Sequence, residues 1–211
     1  MIKICYVCIY DSPIGTLYLS VDDTGRVLWC DTETPPKSWE CIPDWEACST
    51  LVRELQEYFS GTLQNFSMPI QFEGTEFEKR VYAALLSIPY GKTVSYAVVA
   101  KLAGSAKASR AAGSAIGKNH LLILIPCHRV VPSHHGPVIK EHIGKYRAGS
   151  EAKQYLLHLE RAKEQFSKVL APDSSLFKLL LCSCFPSSVC SRTGRTGMQY
   201  RNNFQSILLL F

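Results

Sequence analysis

The sequence lacks any run of eighteen or more uncharged apolar residues, which is the length that a membrane-spanning helix requires. It also lacks a small-residue cleavage site near its first residues, and this argues against a secretory signal. Apolar residues make up 46% of the chain and charged residues 19%, which is typical of globular domains. We therefore expect no membrane partner and a cytoplasmic location, or a nuclear one in a eukaryotic cell.

Disulfide bonds and metal sites are disfavoured, although the chain contains nine cysteines. The count is odd and no secretory signal accompanies it, so a disulfide framework is not expected. Cys5 and Cys8 form a Cys-x-x-Cys pair, but no second such pair exists to complete a tetrahedral zinc site. The pair also lies in a segment with the pattern of a strand. We predict no metal and no redox role for it.

Charge is divided unevenly along the chain. Residues 1–91 carry 6 basic and 13 acidic side chains, whereas residues 92–163 carry 12 basic and 3 acidic ones. A basic half-chain fits a polyanionic partner such as nucleic acid, whose phosphates supply affinity that is independent of sequence. A solvated lysine-rich surface explains the same charges equally well, so charge alone does not decide between the two.

The first part of the chain has the pattern of a small antiparallel sheet followed by one helix. Alternating apolar residues and intervening turn residues predict strands over residues 6–10, 16–21 and 26–30, with a loop over 31–43. A helix is predicted from the N-cap Asp44 to residue 60, because apolar residues repeat every four positions and Gly61 follows. Nothing in this module predicts catalysis.

The second part begins with a capping box, formed by Thr75 and Glu78, at the start of a helix. Two short helices follow. Ser95 is predicted to cap the first, which ends near residue 102, and Ser105 the second, which ends near residue 116. Two short helices with a glycine turn between them are typical of a helix-turn-helix. The second helix is almost entirely Ala, Ser and Gly, so its backbone can approach a partner closely while Arg110 projects from it.

A cysteine with a neighbouring histidine follows a short apolar segment. Residues 121–125 have the length of a strand and lead into Pro126-Cys127-His128-Arg129. A loop over residues 132–145, with three histidines, and a last helix over residues 150–166 complete the module. A free thiol is mostly protonated at neutral pH, so a nucleophilic cysteine needs a base or a positive field. From these residues alone, a buried structural cysteine is the default interpretation.

The segment Ile125-Pro126-Cys127-His128-Arg129-Val130-Val131 resembles the active-site signature of the O6-alkylguanine-DNA alkyltransferases. The resemblance covers residues 6–166 and includes Asp11-Ser12-Pro13-Ile14-Gly15, the helix pair and the end of the last helix. It implies an α+β fold, with a ribonuclease H-like sheet-and-helix module over residues 1–74 and a winged-helix-like helix-turn-helix domain over residues 75–166. Residues 167–211 lie beyond it and are expected to form a poorly ordered tail.

The resemblance implies repair of O6-alkylguanine, and of O4-alkylthymine, in double-stranded DNA. It further implies that a monomer without a cofactor flips the damaged base and transfers the alkyl group once, irreversibly, to its own cysteine. The catalytic roles fall on Cys127 as acceptor, His128 as a base acting through water, Glu160 as the acid that orients it, and Asn119 as organiser of the turn. The DNA-binding roles fall on Tyr96, Ala97, Ser105, Arg110 and Ser133, with Arg110 filling the vacated stack and Tyr96 helping to rotate the nucleotide. The guanine-pocket roles fall on Tyr146 and Ala148.

Three departures from the family pattern bear on rate and substrate range. The Asn-Pro-x-Pro of the family is Asn119-His120-Leu121-Leu122 here, so we expect a less rigid active-site turn. The loop between Cys127 and Tyr146 is longer than usual. Ala148 stands where a bulkier residue or glycine is common, and we expect it to admit alkyl groups larger than methyl.

Two alternatives stay open. A non-catalytic lesion-binding protein would keep the helix pair and the arginine but replace the cysteine, which is present here. A cysteine hydrolase would need an oxyanion hole and a deacylating water, for which the sequence gives no sign.

Overall fold

The computed structural model describes residues 3–133 and 143–169, with the backbone alone for residues 162–169. Residues up to Lys168 belong to one compact unit. The predicted loop histidines, His134, His135 and His142, and most of the predicted tail lie outside the described residues. In the described ranges, no helix is long and apolar enough to cross a membrane.

The N-terminal sheet has four strands: β1 (Lys3–Ser12), β2 (Gly15–Val21), β3 (Val27–Asp31) and β4 (Trp39–Pro43), in the order β3-β2-β1-β4. The three predicted strands are present and antiparallel. The prediction of a loop over residues 31–43 was wrong in part, because β4 pairs parallel to β1 and makes the sheet mixed. Since β4 is a mostly exposed edge strand ending in proline, its sequence shows no alternation that would reveal it.

Helix α1 (Trp45–Phe59) packs on this sheet and confirms the predicted helix. The Asp44 side chain accepts a hydrogen bond from the Ala47 amide, as expected of an N-cap. The helix buries Leu51, Leu55 and Tyr58 completely, in one apolar core with the buried residues of β2 and β3.

The C-terminal part begins with α2 (Glu76–Leu86), whose capping box is formed as predicted. Helix α3 (Tyr96–Leu102) is capped by Ser95, also as predicted. Helix α4 (Ser109–Gly117) begins later than expected, and Ser105 does not cap it. Instead the Ser105 carbonyl accepts a hydrogen bond from the Ala108 amide at 2.8 Å, which closes a turn before the helix.

The prediction of a strand over residues 121–125 was wrong. Only Leu121 forms a bridge, with Cys30, and the chain then turns back so that the Ile125 amide donates to the Leu121 carbonyl at 2.9 Å. Ile123 has a φ of 72°, which β-branched residues rarely adopt. The segment is apolar because every residue in it is buried, and burial alone does not distinguish a strand from a turn.

Two further elements bring the signature segment next to the helix pair. The short strands β5 (Val94–Ser95) and β6 (Val130–Val131) pair in parallel, so the start of α3 lies beside the residues that follow Arg129. The last helix, α5 (Gly149–Val169), begins with a glycine of φ 92° and extends past the predicted end. Its inner face buries Ala152 and Leu156.

Candidate active site

Cys127 lies at the start of a single 3₁₀ turn, Cys127–Arg129, and its side chain is 4% exposed. The Asn119 amide nitrogen donates to the Cys127 Sγ at 3.1 Å and to the Ile125 carbonyl at 3.1 Å. The Asn119 Oδ1 accepts from the Leu121 amide at 2.9 Å. The buried Asn119 side chain therefore bonds both ends of the preceding turn, residues 121–125, and also donates a hydrogen bond to the Cys127 sulfur.

The surroundings of Cys127 disfavour a resting thiolate. Burial raises the pKa of the thiol to about 11, and the hydrogen bond from Asn119 and the charge of Lys153 lower it only in part. Cys127 is therefore a thiol at neutral pH, and it needs a base at the moment it attacks.

His128 and Glu160 form a buried pair that can supply this base. The His128 Nε2 lies 2.9 Å from the Glu160 Oε1, and the two side chains are 0% and 1% exposed. Although burial opposes ionisation of Glu160, His128 and Arg129 outweigh it and hold the pKa of the carboxyl at about 2. An ionised carboxylate only accepts hydrogen bonds, so the His128 Nε2 carries the proton. The Nδ1 then carries a lone pair, and it has no partner among the described residues.

Glu160 is held by more groups than the sequence predicted. Arg129 donates to both of its oxygens, at 3.0 Å from Nε and 2.8 Å from Nη2. The Tyr58 hydroxyl of α1 donates to it at 2.8 Å and the Gly91 amide at 3.0 Å. Sequence reasoning missed Tyr58, although its spacing of seven from Leu51 places it on the buried face of α1.

Lys153 is a second group that sequence reasoning missed. Its side chain is 0% exposed, and its Nζ donates to the Val130 carbonyl at 2.6 Å. Burial lowers the pKa of this ammonium to about 8. Its charge lowers the pKa of the Cys127 thiol, so Lys153 favours the thiolate from within the core. No sequence signal marks a buried lysine on a helix of mixed composition.

Two predicted tyrosines lie near the acceptor sulfur. The Tyr146 ring lies edge-on to the His128 ring, with centroids 6.3 Å apart, and its buried hydroxyl has no partner among the described residues. Burial first, and then the charge of Cys127, raise the pKa values of both Tyr96 and Tyr146. Both hydroxyls are therefore within electrostatic reach of the sulfur. Ala148 is half-buried two residues after Tyr146.

The predicted DNA-binding residues other than Tyr96 lie outside this buried cluster. Ala97 on α3, Arg110 on α4 and Ser133 after β6 are exposed, and Ser105 is half-buried in the turn between the helices. Arg110 forms no ion pair with any described residue. The exposed face of α4 otherwise carries only small residues: Ala111, Ser114 and Gly117.

A buried cysteine beside an amide donor and a histidine–glutamate pair, on a domain with an exposed small-residue helix, defines a protein with a thiol acceptor and a built-in base. Sequence models of two domains match the chain. Residues 5–72 match the ribonuclease-like domain of 6-O-methylguanine DNA methyltransferase, and residues 76–162 match its DNA-binding domain.

Individual relatives agree with these matches. Methylated-DNA--protein-cysteine methyltransferase of Methanosarcina acetivorans is 38% identical over 162 residues, which cover 74% of this chain and 97% of the relative. The constitutive enzyme of that name from Bacillus subtilis is 42% identical over 151 residues, covering 72% of this chain and 85% of the relative. The crystal structure of Mycobacterium tuberculosis OGT in complex with DNA has a TM-score of 0.66 and 35% identity, covering 75% of this chain and 94% of that chain. The chain belongs to the 6-O-methylguanine DNA methyltransferase family, and the predicted α+β fold class is confirmed.

Proposed function

We propose that this chain repairs O6-alkylguanine in double-stranded DNA by transferring the alkyl group irreversibly to Cys127. The observation that carries the proposal is a buried thiol with a raised pKa, next in sequence to His128, whose Nδ1 has no partner among the described residues and whose Nε2 is fixed by Glu160. Such a thiol is inert until a base acts on it. O4-alkylthymine presents an alkyl carbon on an equivalent exocyclic oxygen and is a second substrate of the same chemistry.

The transfer is a single displacement. His128, through a bridging water, accepts the thiol proton while the sulfur attacks the alkyl carbon. The sulfur–carbon bond forms as the carbon–O6 bond breaks, and guanine leaves with the bonding electrons. The leaving guanine takes up a proton from water, and His128 returns the thiol proton to water afterwards. Glu160 stabilises the imidazolium that forms on His128. The buried Tyr146 hydroxyl has no partner among the residues that the structure describes, so it is suited to contact the guanine.

The alkyl carbon lies inside the base stack of a duplex, so the nucleotide has to be rotated out before Cys127 can reach it. Helix α4 offers a surface of small side chains that can lie close to the minor groove. Arg110 is the long exposed side chain on that surface and is suited to occupy the vacated stack. We also propose that four residues outside α4 contact the DNA backbone: Tyr96, Ala97, Ser105 and Ser133.

The product is a thioether at Cys127, and a thioether is a poor leaving group. We therefore propose that each protein molecule reacts once. A single chain holds the acceptor, the base and the exposed helix, and we propose that it acts as a monomer in the cytoplasm, or in the nucleus of a eukaryotic cell.

Intact-mass measurement after mixing the protein with a duplex containing O6-methylguanine tests the proposal. The expected result is a mass gain of one methylene per molecule, mapped by peptide analysis to Cys127. The variant Cys127→Ala is expected to gain nothing. The matched control Cys30→Ala, which alters another buried cysteine, is expected to gain the methylene as the unaltered chain does.

The same measurement separates the two alternatives. Tight binding of the alkylated duplex without any mass gain would identify a lesion-binding protein. Removal of more than one alkyl group per protein molecule would identify a hydrolase. Either result would refute transfer to Cys127.

A further inference from the structure

Asp31, the last residue of β3, has a fully buried carboxylate that the proposed reaction does not use. One oxygen, Oδ2, lies 2.7 Å from the His120 Nδ1 and also accepts from the Arg147 Nε. The other, Oδ1, accepts from the Thr32 amide at 2.7 Å. Burying a carboxylate is unfavourable unless it is fully paired, and these contacts pair it completely.

The first partner of Asp31 belongs to the turn that carries Asn119. His120 follows Asn119 directly, and its ring stacks on Trp29 of β3 at a centroid distance of 4.0 Å. Its carbonyl accepts from the Cys30 amide at 2.8 Å. The residue that stands where the family pattern has a proline is thus fixed to β3 by its ring, its ring nitrogen and its backbone. The turn is held by contacts with the N-terminal sheet rather than by restricted backbone angles.

The second partner of Asp31 belongs to the segment that carries the guanine-pocket residues. Arg147 lies between Tyr146 and Ala148, and it also pairs with the Glu33 carboxylate at 2.6 Å. One carboxylate in the N-terminal module therefore contacts two residues, and each is adjacent in sequence to a group proposed for the reaction. A small displacement of either group is costly, because transfer depends on the alignment of the sulfur, its donor and the guanine.

We propose that Asp31 is a positioning residue for alkyl transfer. Through His120 it holds the turn that presents Asn119 to the Cys127 sulfur, and through Arg147 it holds the segment that presents Tyr146. The inference rests on the proposed function and gives the N-terminal module a role in positioning the residues that carry it out.

The test measures single-turnover methyl transfer from a duplex containing O6-methylguanine over a range of DNA concentrations. The full-length chain is compared with Asp31→Ala, His120→Ala and the double variant, at a temperature well below the unfolding midpoint of each. Asp23→Ala, which removes an exposed carboxylate from the turn before β3, is the matched control. His120→Asn, which keeps a donor at the position of Nδ1, is the conservative variant.

Asp31→Ala and His120→Ala are each expected to lower the saturating rate constant about tenfold and to leave the half-saturating DNA concentration within about twofold. The double variant is expected to react within about twofold of the slower single variant, because each single change already removes the Asp31–His120 contact. His120→Asn is expected to recover most of the rate, and Asp23→Ala is expected to react as the unaltered chain does.

Three results would overturn the inference. The first is a saturating rate constant for Asp31→Ala equal to that of the control, and the second is an unchanged rate constant with a raised half-saturating DNA concentration. The third is a loss of rate in the double variant that equals the product of the two single losses. If Asp31→Ala does not fold, Asp31→Asn is compared with Asp23→Asn by the same criteria. Transfer by the unaltered chain together with any of these results removes the inference and leaves the proposed function intact. Absence of transfer by the unaltered chain removes both.

Discussion

Thiol pKa does not distinguish the acceptor cysteine from a structural one in this protein. Burial raises the pKa of the Cys30 thiol as well as that of Cys127. The two differ in their neighbours, because Cys127 has an amide donor on its sulfur and a histidine as the next residue, whereas Cys30 has a carboxylate next to it. A resting thiol of this kind resists oxidation and adventitious alkylation. For an acceptor that reacts only once, such protection preserves its function until a damaged base arrives.

The pH dependence of transfer is expected to follow the protonation of His128. Burial first, opposed by Glu160, lowers the pKa of His128 below its ordinary 6.5, so the neutral, proton-accepting form dominates at neutral pH. The saturating transfer rate is therefore expected to fall as the pH is lowered below 6.5, and to change toward pH 8 only as Lys153, with a pKa of about 8, loses its charge. Single-turnover rates between about pH 5 and 8 measure this. A fall of the transfer rate toward acid with its midpoint above pH 7 would contradict this expectation, provided that binding of undamaged DNA stays constant over the same range.

Substrate range is expected to depend on the small side chain of Ala148. It is half-buried next to the Tyr146–Arg147 segment, so a larger residue there would occupy space in the proposed guanine pocket. The unaltered chain is expected to accept benzyl from O6-benzylguanine in DNA at a rate equal to or above that for methyl. Ala148→Leu is expected to slow benzyl transfer about tenfold and methyl transfer much less. Competition between the two duplexes, read by intact mass, measures the ratio, and no benzyl product from the unaltered chain would end the hypothesis.

Among the elements, those set by local hydrogen bonds could be predicted from the sequence and those set by distant contacts could not. Asp44, Thr75 and Ser95 cap their helices because each bonds an amide three residues away, a relation that the sequence contains. Strand β4 exists through its pairing with β1, which is distant in sequence. The turn over residues 121–125 is closed by local hydrogen bonds with Asn119, but its place beside β3 depends on the distant contact of Leu121 with Cys30.

The same division applies to the candidate site. The family signature predicts roles for Cys127 and His128, and the wider resemblance predicts roles for Asn119 and Glu160. The structure places Asn119 against Cys127 and Glu160 against His128. The groups that surround them, Tyr58 at Glu160 and Lys153 beneath β6, belong to helices whose patterns show burial and nothing more. Their contacts span many residues of sequence, so tertiary packing alone determines them.

Helix α4 is expected to act on the duplex rather than on the transfer chemistry, which can be tested with Arg110. Arg110→Ala is expected to lower transfer from duplex O6-methylguanine by about tenfold or more, because the vacated stack is then unfilled. Transfer from free O6-benzylguanine base is expected to be unchanged, since no stack is involved. The control Lys107→Ala removes an exposed charge from the preceding turn and is expected to weaken DNA affinity without changing the saturating rate. Equal losses on duplex and free base would contradict a role in the stack.

On the scale of the whole molecule, Glu160 joins elements from both parts of the chain. Its carboxylate is bonded by Tyr58 of α1, by Gly91 after α2 and by His128 and Arg129 of the signature turn, while Glu160 itself lies on α5. The residue proposed to orient the base is therefore also the residue on which several elements converge. Loss of its charge is expected to affect stability as well as rate.

The stability that Glu160 contributes is expected to disappear in acid. The pKa of its carboxyl is held at about 2 in the folded chain against an ordinary value of 4.5, so the folded state binds the proton less readily than the unfolded state does. The contribution is thus fully present above pH 4.5 and is lost as the pH falls toward about 2. At neutral pH, Glu160→Gln is expected to lower the free energy of unfolding by about 3 kcal/mol, because it leaves Arg129 buried without its counter-charge.

Denaturant unfolding of both proteins at several pH values measures the difference, which should be constant above pH 4.5 and shrink below it. Glu151→Gln, an exposed change on the same helix, should show neither effect. If the difference in unfolding free energy between the unaltered chain and Glu160→Gln stays the same in acid, Glu160 stabilises the fold by its packing rather than by its charge.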